Sequence, residues 1–235
     1  MTTPVQSIAP GGIPALLWGP PSDHLYLHVH GKMASKECAE AFAAIAAERG
    51  WQTLSFDLHD HGERRGRGEV CDIFSGMRDL QAVGEYAFSR WKTVGLFACS
   101  LGAYFSLMTW ADRPFDNCLF QSPILDMEHL VQNMFLWFGV TEERLERERE
   151  IPTPIDTLSW DYYQFVRSHP VDRWTPPTRI LYAAKDNLQS RAVIDAFCAA
   201  HSCALTVSES SEHPFMAPGD EAIVDAWLRA SVPKI

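Results

Sequence analysis

Short apolar runs alternate with longer amphipathic segments along most of the chain. The apolar runs predict strands at residues 13–18, 25–29, 51–56, 93–98, 117–121, 179–184 and 204–207. Apolar positions at helical spacing predict helices at residues 35–49, 74–91, 101–110, 190–200 and 220–231. Strands that alternate with helices are typical of an α/β protein with a mostly parallel sheet flanked by helices. The first two strands are separated by Gly-Pro-Pro-Ser-Asp and are predicted to pair as a hairpin.

The alternation of strands and helices stops between residues 126 and 175. Apolar side chains recur there at the spacing of one helix face, at Met127, Leu130, Val131, Met134 and Phe135. A charged stretch follows at 141–150, and no run in this segment predicts a strand. We therefore expect a single domain. Its α/β core comprises residues 1–125 and 176–235, and residues 126–175 form an inserted helical cap.

Composition narrows the class of protein and its partners. The 235 residues suffice for one sizeable domain, and the formal net charge is −10. Such an acidic surface repels phosphate backbones and anionic lipid headgroups, so we expect neither nucleic-acid binding nor stable membrane association. The N-terminal residues have no signal-peptide pattern, which predicts a cytoplasmic location. The six cysteines lack CxxC spacing and are predicted to be buried or free thiols, not a disulfide framework.

A serine follows the strand at 93–98, where the chain turns into the next helix. Residues 98–102 read Ala-Cys-Ser-Leu-Gly, with small residues on either side of the central three. Small neighbours allow a tight strand-to-helix turn that exposes the serine Oγ at the N-terminus of the helix. We therefore predict that Ser100 is a nucleophile; the alternative is a serine that only caps the helix. In this register Cys99 lies beneath the turn as a packed thiol, which disfavours a cysteine nucleophile.

A serine nucleophile needs a general base, and the base needs an acid to orient it. Asp186 lies in the loop after one predicted strand, and His213 follows the last predicted strand. Open α/β sheets place their sites at the carboxyl ends of strands, so these two residues are the predicted acid and base. Other carboxylates nearby in the sequence do not directly follow that strand; they are Asp172, Asp220 and Glu212.

Acyl transfer also needs two hydrogen-bond donors for the oxyanion. The first predicted donor is the backbone N–H of Leu101, directly after the serine. The second is predicted in the loop after the strand at 25–29, where Gly31 permits a sharp turn and Lys32 offers its backbone N–H. Met33, the next residue in this loop, is predicted to contact the substrate.

These segments together resemble the α/β-hydrolase superfamily. The resemblance rests on residues 30–31 (His-Gly), 57–63 (Asp-Leu-His-Asp-His-Gly-Glu), 98–102, 186 (Asp) and 212–213 (Glu-His). It implies a mostly parallel sheet with a helical cap after the sixth strand. It also implies a triad of Ser100, Asp186 and His213, with Lys32 and Leu101 as oxyanion donors. The chain departs from the family pattern at Ala98 and Asp60, where glycine is common; some lipases share the first change. Because the superfamily spans many chemistries, the resemblance selects no substrate.

Two further groups of polar side chains suggest alternative sites. Four histidines follow adjacent predicted strands: His28, His30, His59 and His61. They are enough to bind zinc, but no HxHxDH-type run accompanies them, and we predict no metal and no cofactor. A basic loop stands out in this acidic protein: Arg64, Arg65 and Arg67. It either attracts a carboxylate-bearing substrate or is simply solvated.

The predicted function is a serine hydrolase that cleaves small to medium esters or thioesters through an acyl-enzyme on Ser100. The alternatives are an amidase or C–C hydrolase with the same triad, or a ligand-binding protein without turnover. An aromatic cluster lies in the cap: Trp160, Tyr162, Tyr163 and Phe165. It either lines an acyl pocket or packs the cap, and we predict that Trp160, Tyr163 and Phe165 contact the substrate. The expected partner is a small-molecule substrate. The sequence leaves open whether the protein forms a homodimer.

Overall fold

A computed structural model describes residues 3–68 and 70–235. The strands are β1 Val5–Ile8, β2 Ala15–Trp18, β3 His24–Val29, β4 Gln52–Phe56, β5 Thr93–Cys99, β6 Cys118–Gln121, β7 Glu150–Pro152, β8 Thr157–Ser159, β9 Thr178–Ala183 and β10 Ala204–Ser208. The helices are α1 Glu40–Glu48, α2 Ile73–Phe88, α3 Leu101–Trp110, α4 Met127–Phe138, α5 Glu142–Glu148, α6 Trp160–Ser168, α7 Arg191–His201 and α8 Asp220–Ser231. Strands and helices alternate through most of the chain, as the hydrophobic pattern predicts.

Within the described residues, eight of the strands form one sheet in the order β1-β2-β4-β3-β5-β6-β9-β10. From β4 to β10 every neighbouring pair is parallel, whereas β2 runs antiparallel to both β1 and β4. The predicted class, an α/β protein with a mostly parallel sheet, is therefore confirmed. Parallel strands end at the same edge of a sheet, so the loops after β3, β4, β5, β6, β9 and β10 lie along one edge.

The predicted hairpin between the first two apolar runs is wrong. The structure pairs β2 with β1 and β4, while β3 lies between β4 and β5. Five of the six residues of β3 are buried, which is typical of a central strand of a parallel sheet that is covered on both faces. A hairpin with β2 would have placed an antiparallel partner on one of those sides. The missed strand β1 is mostly exposed and has little apolar signal.

Helices bury the two faces of the sheet in separate apolar clusters. One cluster joins alternate residues of β3, such as Leu25 and Leu27, to residues of α2, α3 and α7. The other joins Tyr26 and Phe97 to residues of α1 and α8. Side chains of successive strand residues point to opposite faces, which explains why neighbouring residues of β3 belong to different clusters.

The chain between β6 and β9 lies outside the main sheet. It forms α4, α5 and α6, together with a two-stranded antiparallel ribbon of β7 and β8. The ribbon was not predicted, because strands of three residues are too short to show a period. Each helix begins at a polar side chain that accepts a hydrogen bond from its first turn: Asp126, Thr141 and Ser159. Among the described residues, no helix is both long and apolar enough to cross a membrane.

Candidate active site

Ser100 stands at the apex of the turn between β5 and α3. Its backbone has φ +51° and ψ −120°, a strained conformation for a residue other than glycine. A Cβ atom at Gly102 would lie 2.5 Å from the His30 carbonyl oxygen and 2.6 Å from that of Val29. The loop after β3 thus packs directly against the start of α3, and only glycine fits at 102. The turn has the geometry of a nucleophile elbow.

His213 lies within hydrogen-bond distance of this serine. The Ser100 Oγ is 2.8 Å from the His213 Nε2. His213 belongs to the loop after β10, and the Gln121 side chain at the end of β6 donates a hydrogen bond of 2.9 Å to the carbonyl oxygen of Pro214. The strand that flanks the serine therefore also holds the loop that carries the histidine.

Asp186 completes the row of three side chains. The His213 Nδ1 lies 2.7 Å from the Asp186 Oδ2, and the Asp186 side chain is fully buried. The other carboxylate oxygen accepts backbone hydrogen bonds from Leu188 at 2.8 Å and Gln189 at 3.2 Å. A carboxylate only accepts, so the imidazole proton is on Nδ1, and the Nε2 lone pair faces the serine.

The other carboxylates near Asp186 and His213 in the sequence lie in different surroundings. Glu212 and Asp172 are exposed. Asp220 is buried, but it accepts hydrogen bonds from the Ser211 hydroxyl and the Ala217 backbone N–H at the start of α8. The loop after β9 alone presents a buried carboxylate to His213 in the described chain.

The loop after β3 brings the predicted oxyanion donors beside the serine. A Cβ atom at Gly31 would lie 3.1 Å from the Ser100 Cβ, so Lys32 follows a residue that touches the nucleophile. Leu101 is the first residue of α3, where backbone N–H groups have no partner within the helix. The Met33 N–H donates to the His61 Nε2 at 2.9 Å and is not available to an oxyanion. Met33 itself is 83% exposed.

A buried ion pair behind this loop was not predicted from the sequence. Asp57 is completely buried and accepts hydrogen bonds from the Lys36 backbone N–H at 2.9 Å and the Lys36 Nζ at 2.8 Å. It also accepts from the Glu63 backbone N–H at 3.0 Å. A Cβ atom at Gly62 would collide with this carboxylate. Asp57 therefore joins the loop after β3 to the loop after β4.

The four histidines weighed as zinc ligands have individual structural partners. The His30 Nδ1 donates to the Gly31 carbonyl oxygen at 2.7 Å, and the His30 Nε2 accepts from the Leu58 N–H at 3.1 Å. His28 stacks on Phe97 with ring centroids 4.6 Å apart. Burial lowers the pKa of His28 to about 3 and that of His30 to about 4, so both are neutral. No group of three metal-binding side chains occurs in residues 3–68 and 70–235.

The basic loop divides into a buried and an exposed part. Arg64 is buried and forms an ion pair with Asp79, and it also donates to the carbonyl oxygen of Asp57 at 3.1 Å. Arg65 and Arg67 are exposed. Arg64 therefore stabilises the loop after β4, whereas Arg65 and Arg67 face solvent.

Cys99 is the last residue of β5 and lies on the same face of the sheet as Phe97. Burial raises the pKa of its thiol to about 12, so the thiolate is disfavoured at neutral pH. The side chain packs with the cluster beneath the sheet that includes Phe97. This environment is that of a structural thiol.

The inserted segment at residues 126–175, here called the cap for its predicted role, has aromatic residues on different sides of α6. The Tyr163 ring packs on Phe135 at 5.0 Å, and its hydroxyl donates to Glu142 at 3.4 Å, within the cap itself. Trp160 lies beside Tyr163, with ring centroids 6.1 Å apart. Phe165 contacts Phe74 of α2, with ring centroids 5.2 Å apart, and so joins cap to core.

Tyr162, next to Tyr163, is oriented differently. Its hydroxyl is buried, and its ring packs against the main apolar cluster of the core. Asp156, in the turn between β7 and β8, forms an ion pair with Lys32. The sequence places both tyrosines in one cluster and does not say which faces the core.

Comparison with known proteins identifies the fold but gives no sequence relative. No family model matches the sequence, and no curated protein matches it. Solved structures are similar over nearly the whole chain. One is Est1E from Butyrivibrio proteoclasticus with ferulic acid bound, which is 20% identical with a TM-score of 0.79, covering 96% of each chain.

Two further structures show the same similarity. A putative hydrolase from Agrobacterium vitis is 16% identical with a TM-score of 0.78, covering 98% of this chain and 99% of that one. The monoacylglycerol lipase of Paleococcus ferrophilus is 17% identical with a TM-score of 0.66, covering 92% and 98%. The chain thus has the α/β-hydrolase fold, as its motifs predict.

Proposed function

We propose that the protein is a serine hydrolase that cleaves carboxylic esters or thioesters of small to medium size. The observation that carries the proposal is the continuous row of hydrogen bonds from Ser100 through His213 to Asp186. Esterases and a lipase among the similar structures agree with an ester substrate. The fold alone would not select this chemistry, since unrelated reactions share it.

In the proposed reaction Ser100 attacks the substrate carbonyl while His213 takes the serine proton through Nε2. Asp186 holds the Nδ1 proton and stabilises the imidazolium that forms. The backbone N–H groups of Lys32 and Leu101 stabilise the oxyanion. His213 then gives the proton to the leaving group, which departs as an alcohol or a thiol. Water, activated by the same histidine, releases the acid from the serine.

The cap, residues 126–175, is proposed to set the size of the substrate. Two contacts hold it against the core near the site: the ion pair of Lys32 with Asp156, and the ring contact of Phe165 with Phe74. A cap of about fifty residues encloses a small or medium ligand, so short to medium acyl or aryl esters are the expected substrates.

Covalent labelling tests the proposal most directly. A fluorophosphonate probe should label the wild-type protein at Ser100 and leave Ser100→Ala unlabelled. Hydrolysis of a series of 4-nitrophenyl esters and acyl thioesters should fall by several orders of magnitude in Ser100→Ala. The exposed serine variant Ser168→Ala is the control and should keep both labelling and turnover.

Each outcome of this experiment is decisive. Labelling at Ser100 without hydrolysis of any ester or thioester would favour the amidase or C–C hydrolase alternative. Neither labelling nor hydrolysis by folded wild-type protein would favour a ligand-binding protein without turnover. Unchanged hydrolysis by folded Ser100→Ala would refute the nucleophile.

A further inference from the structure

The Gln189 side chain is a buried amide that joins two loops beside the proposed triad. Gln189 lies in the loop after β9, close to Asp186 in the sequence, and only 1% of it is exposed. Its Oε1 accepts hydrogen bonds from the backbone N–H groups of Leu125 at 3.0 Å and Asp126 at 2.8 Å. Its Nε2 donates to the carbonyl oxygens of Asp126 at 3.0 Å and Leu188 at 2.9 Å. The amide oxygen and nitrogen thus use their full hydrogen-bonding capacity.

The backbone of the same residue contacts the proposed catalytic acid. The Gln189 N–H donates to the Asp186 Oδ1 at 3.2 Å, and the N–H of the preceding Leu188 donates to the same oxygen at 2.8 Å. The Gln189 carbonyl oxygen accepts from the Tyr182 hydroxyl of β9 at 3.0 Å. The conformation of residues 186–189 therefore decides where the Asp186 carboxylate lies, and the Gln189 amide attaches this loop to the segment after β6.

That segment, residues 122–126, contacts the proposed nucleophile. The Ile124 N–H donates to the backbone carbonyl oxygen of Ser100 at 3.2 Å. Asp126 begins the cap, since its side chain accepts from the His129 N–H at 2.9 Å in the first turn of α4. One amide therefore connects the loop that carries the proposed acid to the segment that adjoins Ser100 and leads into the cap.

The sheet itself does not hold these two loops together. The strands β6 and β9 are parallel neighbours, but their last paired residues are Gln121 and Leu181. Directly beyond them, the Ser122 N–H still donates to the Leu181 carbonyl oxygen at 2.9 Å. From there on, the hydrogen bonds that join the two loops in the described chain come from the Gln189 side chain. An apolar side chain of the same size would fill this space but make none of these bonds.

We propose that Gln189 is a positioning residue that sets the place of Asp186 relative to Ser100. The proposal rests on the triad of the hydrolase function proposed above. The bonds of Gln189 are to backbone groups and to Asp186, so it acts through Asp186, which in turn orients His213. A misplacement of about 1 Å at a catalytic group costs about 100-fold in rate, so loss of the amide should slow the chemical step.

Gln189→Met tests the proposal, because methionine has a similar size but cannot make these hydrogen bonds. In the ester series, kcat should fall by about 10- to 100-fold, and by the same factor for the shortest and the longest ester that the wild type hydrolyses. A loss confined to the longer esters would mean that Gln189 only holds the cap, and it would overturn the proposal. Gln189→Glu is the second variant, should Gln189→Met not fold. It keeps the shape, but a carboxyl group has at most one proton to donate where the amide has two, so kcat should also fall; wild-type kcat would overturn the proposal.

A double-mutant cycle shows whether Gln189 acts through Asp186. Asp186→Ala removes the carboxylate that Gln189 is proposed to position. In that background Gln189→Met should change kcat by no more than about twofold, whereas it costs about tenfold or more when Asp186 is present. Losses that multiply in the double variant would mean that Gln189 acts independently of Asp186, and the proposal would be wrong.

A second buried glutamine gives a matched control for a general loss of stability. Gln52 begins β4 at the opposite edge of the sheet and is 7% exposed. Its Oε1 accepts from the Trp91 indole N–H at 3.0 Å and the Ser22 N–H at 3.3 Å. Gln52→Met should lower the thermal midpoint, as Gln189→Met does, but keep wild-type kcat for every ester. An equal loss of kcat in both variants would mean that Gln189 acts only through overall stability, and it would refute the positioning role.

Proton NMR separates this proposal from the proposed hydrolysis. The Nδ1 proton of His213 lies in the hydrogen bond to Asp186, so its downfield resonance reports on that bond without any substrate. The resonance, assigned by its absence in Asp186→Ala, should shift or disappear in Gln189→Met and stay unchanged in Gln52→Met. This result would support the positioning role even if no ester were hydrolysed. An unchanged resonance in folded Gln189→Met, with esters hydrolysed normally, would refute the role and leave the hydrolase.

Discussion

The carboxyl edge of the sheet and the cap hold their side chains in different ways. At the sheet edge, backbone groups position the proposed catalytic residues: Ser100 is set by its positive φ, and Asp186 by two backbone N–H donors. In the cap, side-chain packing decides the orientation, as in the contacts of Tyr163 with Phe135 and Glu142. Changes at the sheet edge should therefore affect the chemical step, and changes in the cap should affect the choice of substrate.

The largest effect is expected at the acid of the proposed triad. Asp186→Asn keeps the size of the side chain but favours the wrong imidazole tautomer of His213, so kcat should fall by about 10⁴-fold. The measurement is kcat for the best ester found in the substrate series. Asp172→Asn, at an exposed position, is the control and should keep wild-type kcat. A comparable loss in Asp172→Asn would mean that the acid is misplaced.

The contrast between the sheet edge and the cap also explains which features can be predicted from the sequence. The turn at Ser100 can be recognised because Ala98 and Gly102 are small, and the motif's partners follow predicted strands. The fold class and the proposed triad depend on such local signals. The orientation of Tyr162 against Tyr163 depends on how α6 rotates on the core, and adjacent residues with equal side-chain chemistry give no signal for that.

Long-range pairing is the second feature that the sequence does not predict. The position of β2 beside β4 depends on contacts between strands far apart in the chain. The pairing of Lys36 with Asp57 is likewise a contact between separate loops. Single-sequence periodicity describes each element alone, so the partners of an element appear only in the structure.

The buried ion pair of Lys36 with Asp57, behind the loop after β3, gives the next largest effect. Asp57→Ala removes three hydrogen bonds and leaves the buried Lys36 ammonium with only the exposed carboxylates of Glu37 and Glu63. The free energy of unfolding should fall by about 3–5 kcal/mol. Urea unfolding followed by tryptophan fluorescence measures this change. Glu63→Gln is the control, since the Glu63 side chain is 63% exposed and its contact with Lys36 should contribute at most about 1 kcal/mol.

The third prediction is that the folded protein loses stability in mild acid because His28 is buried. The pKa of His28 is about 3 in the folded protein, against 6.5 as its ordinary value, because the ring is buried. Between these values the unfolded chain binds a proton that the folded protein does not, so stability falls as the pH drops below about 6.5. His28 alone should cost about 2 kcal/mol at pH 5 relative to pH 8.

His28→Phe tests this assignment. The variant should lose about 2 kcal/mol less than wild type between pH 8 and pH 5 in urea unfolding, since one titrating group is removed. His169→Asn, at an exposed position of the cap, should keep the wild-type pH dependence. An identical pH dependence in His28→Phe and wild type would show that another group causes the acid sensitivity.

The smallest effect is expected where the two regions meet, at the ion pair of Lys32 with Asp156. Its side chains are 32% and 45% exposed, so solvent screens the attraction and the pair should contribute at most about 1 kcal/mol. Asp156→Asn should therefore raise KM for a medium ester by no more than about fivefold and leave kcat unchanged. The backbone N–H of Lys32, which the substitution does not alter, is the group proposed for the oxyanion.

Salt distinguishes this surface ion pair from a direct role of Asp156 in catalysis. In 1 M sodium chloride the Debye length falls to about 3 Å, so wild-type KM should approach that of Asp156→Asn. The KM of the variant itself should change little with salt. A large loss of kcat in Asp156→Asn that persists at high salt would instead place Asp156 in the chemical step, and the division between a catalytic sheet edge and a selective cap would no longer hold.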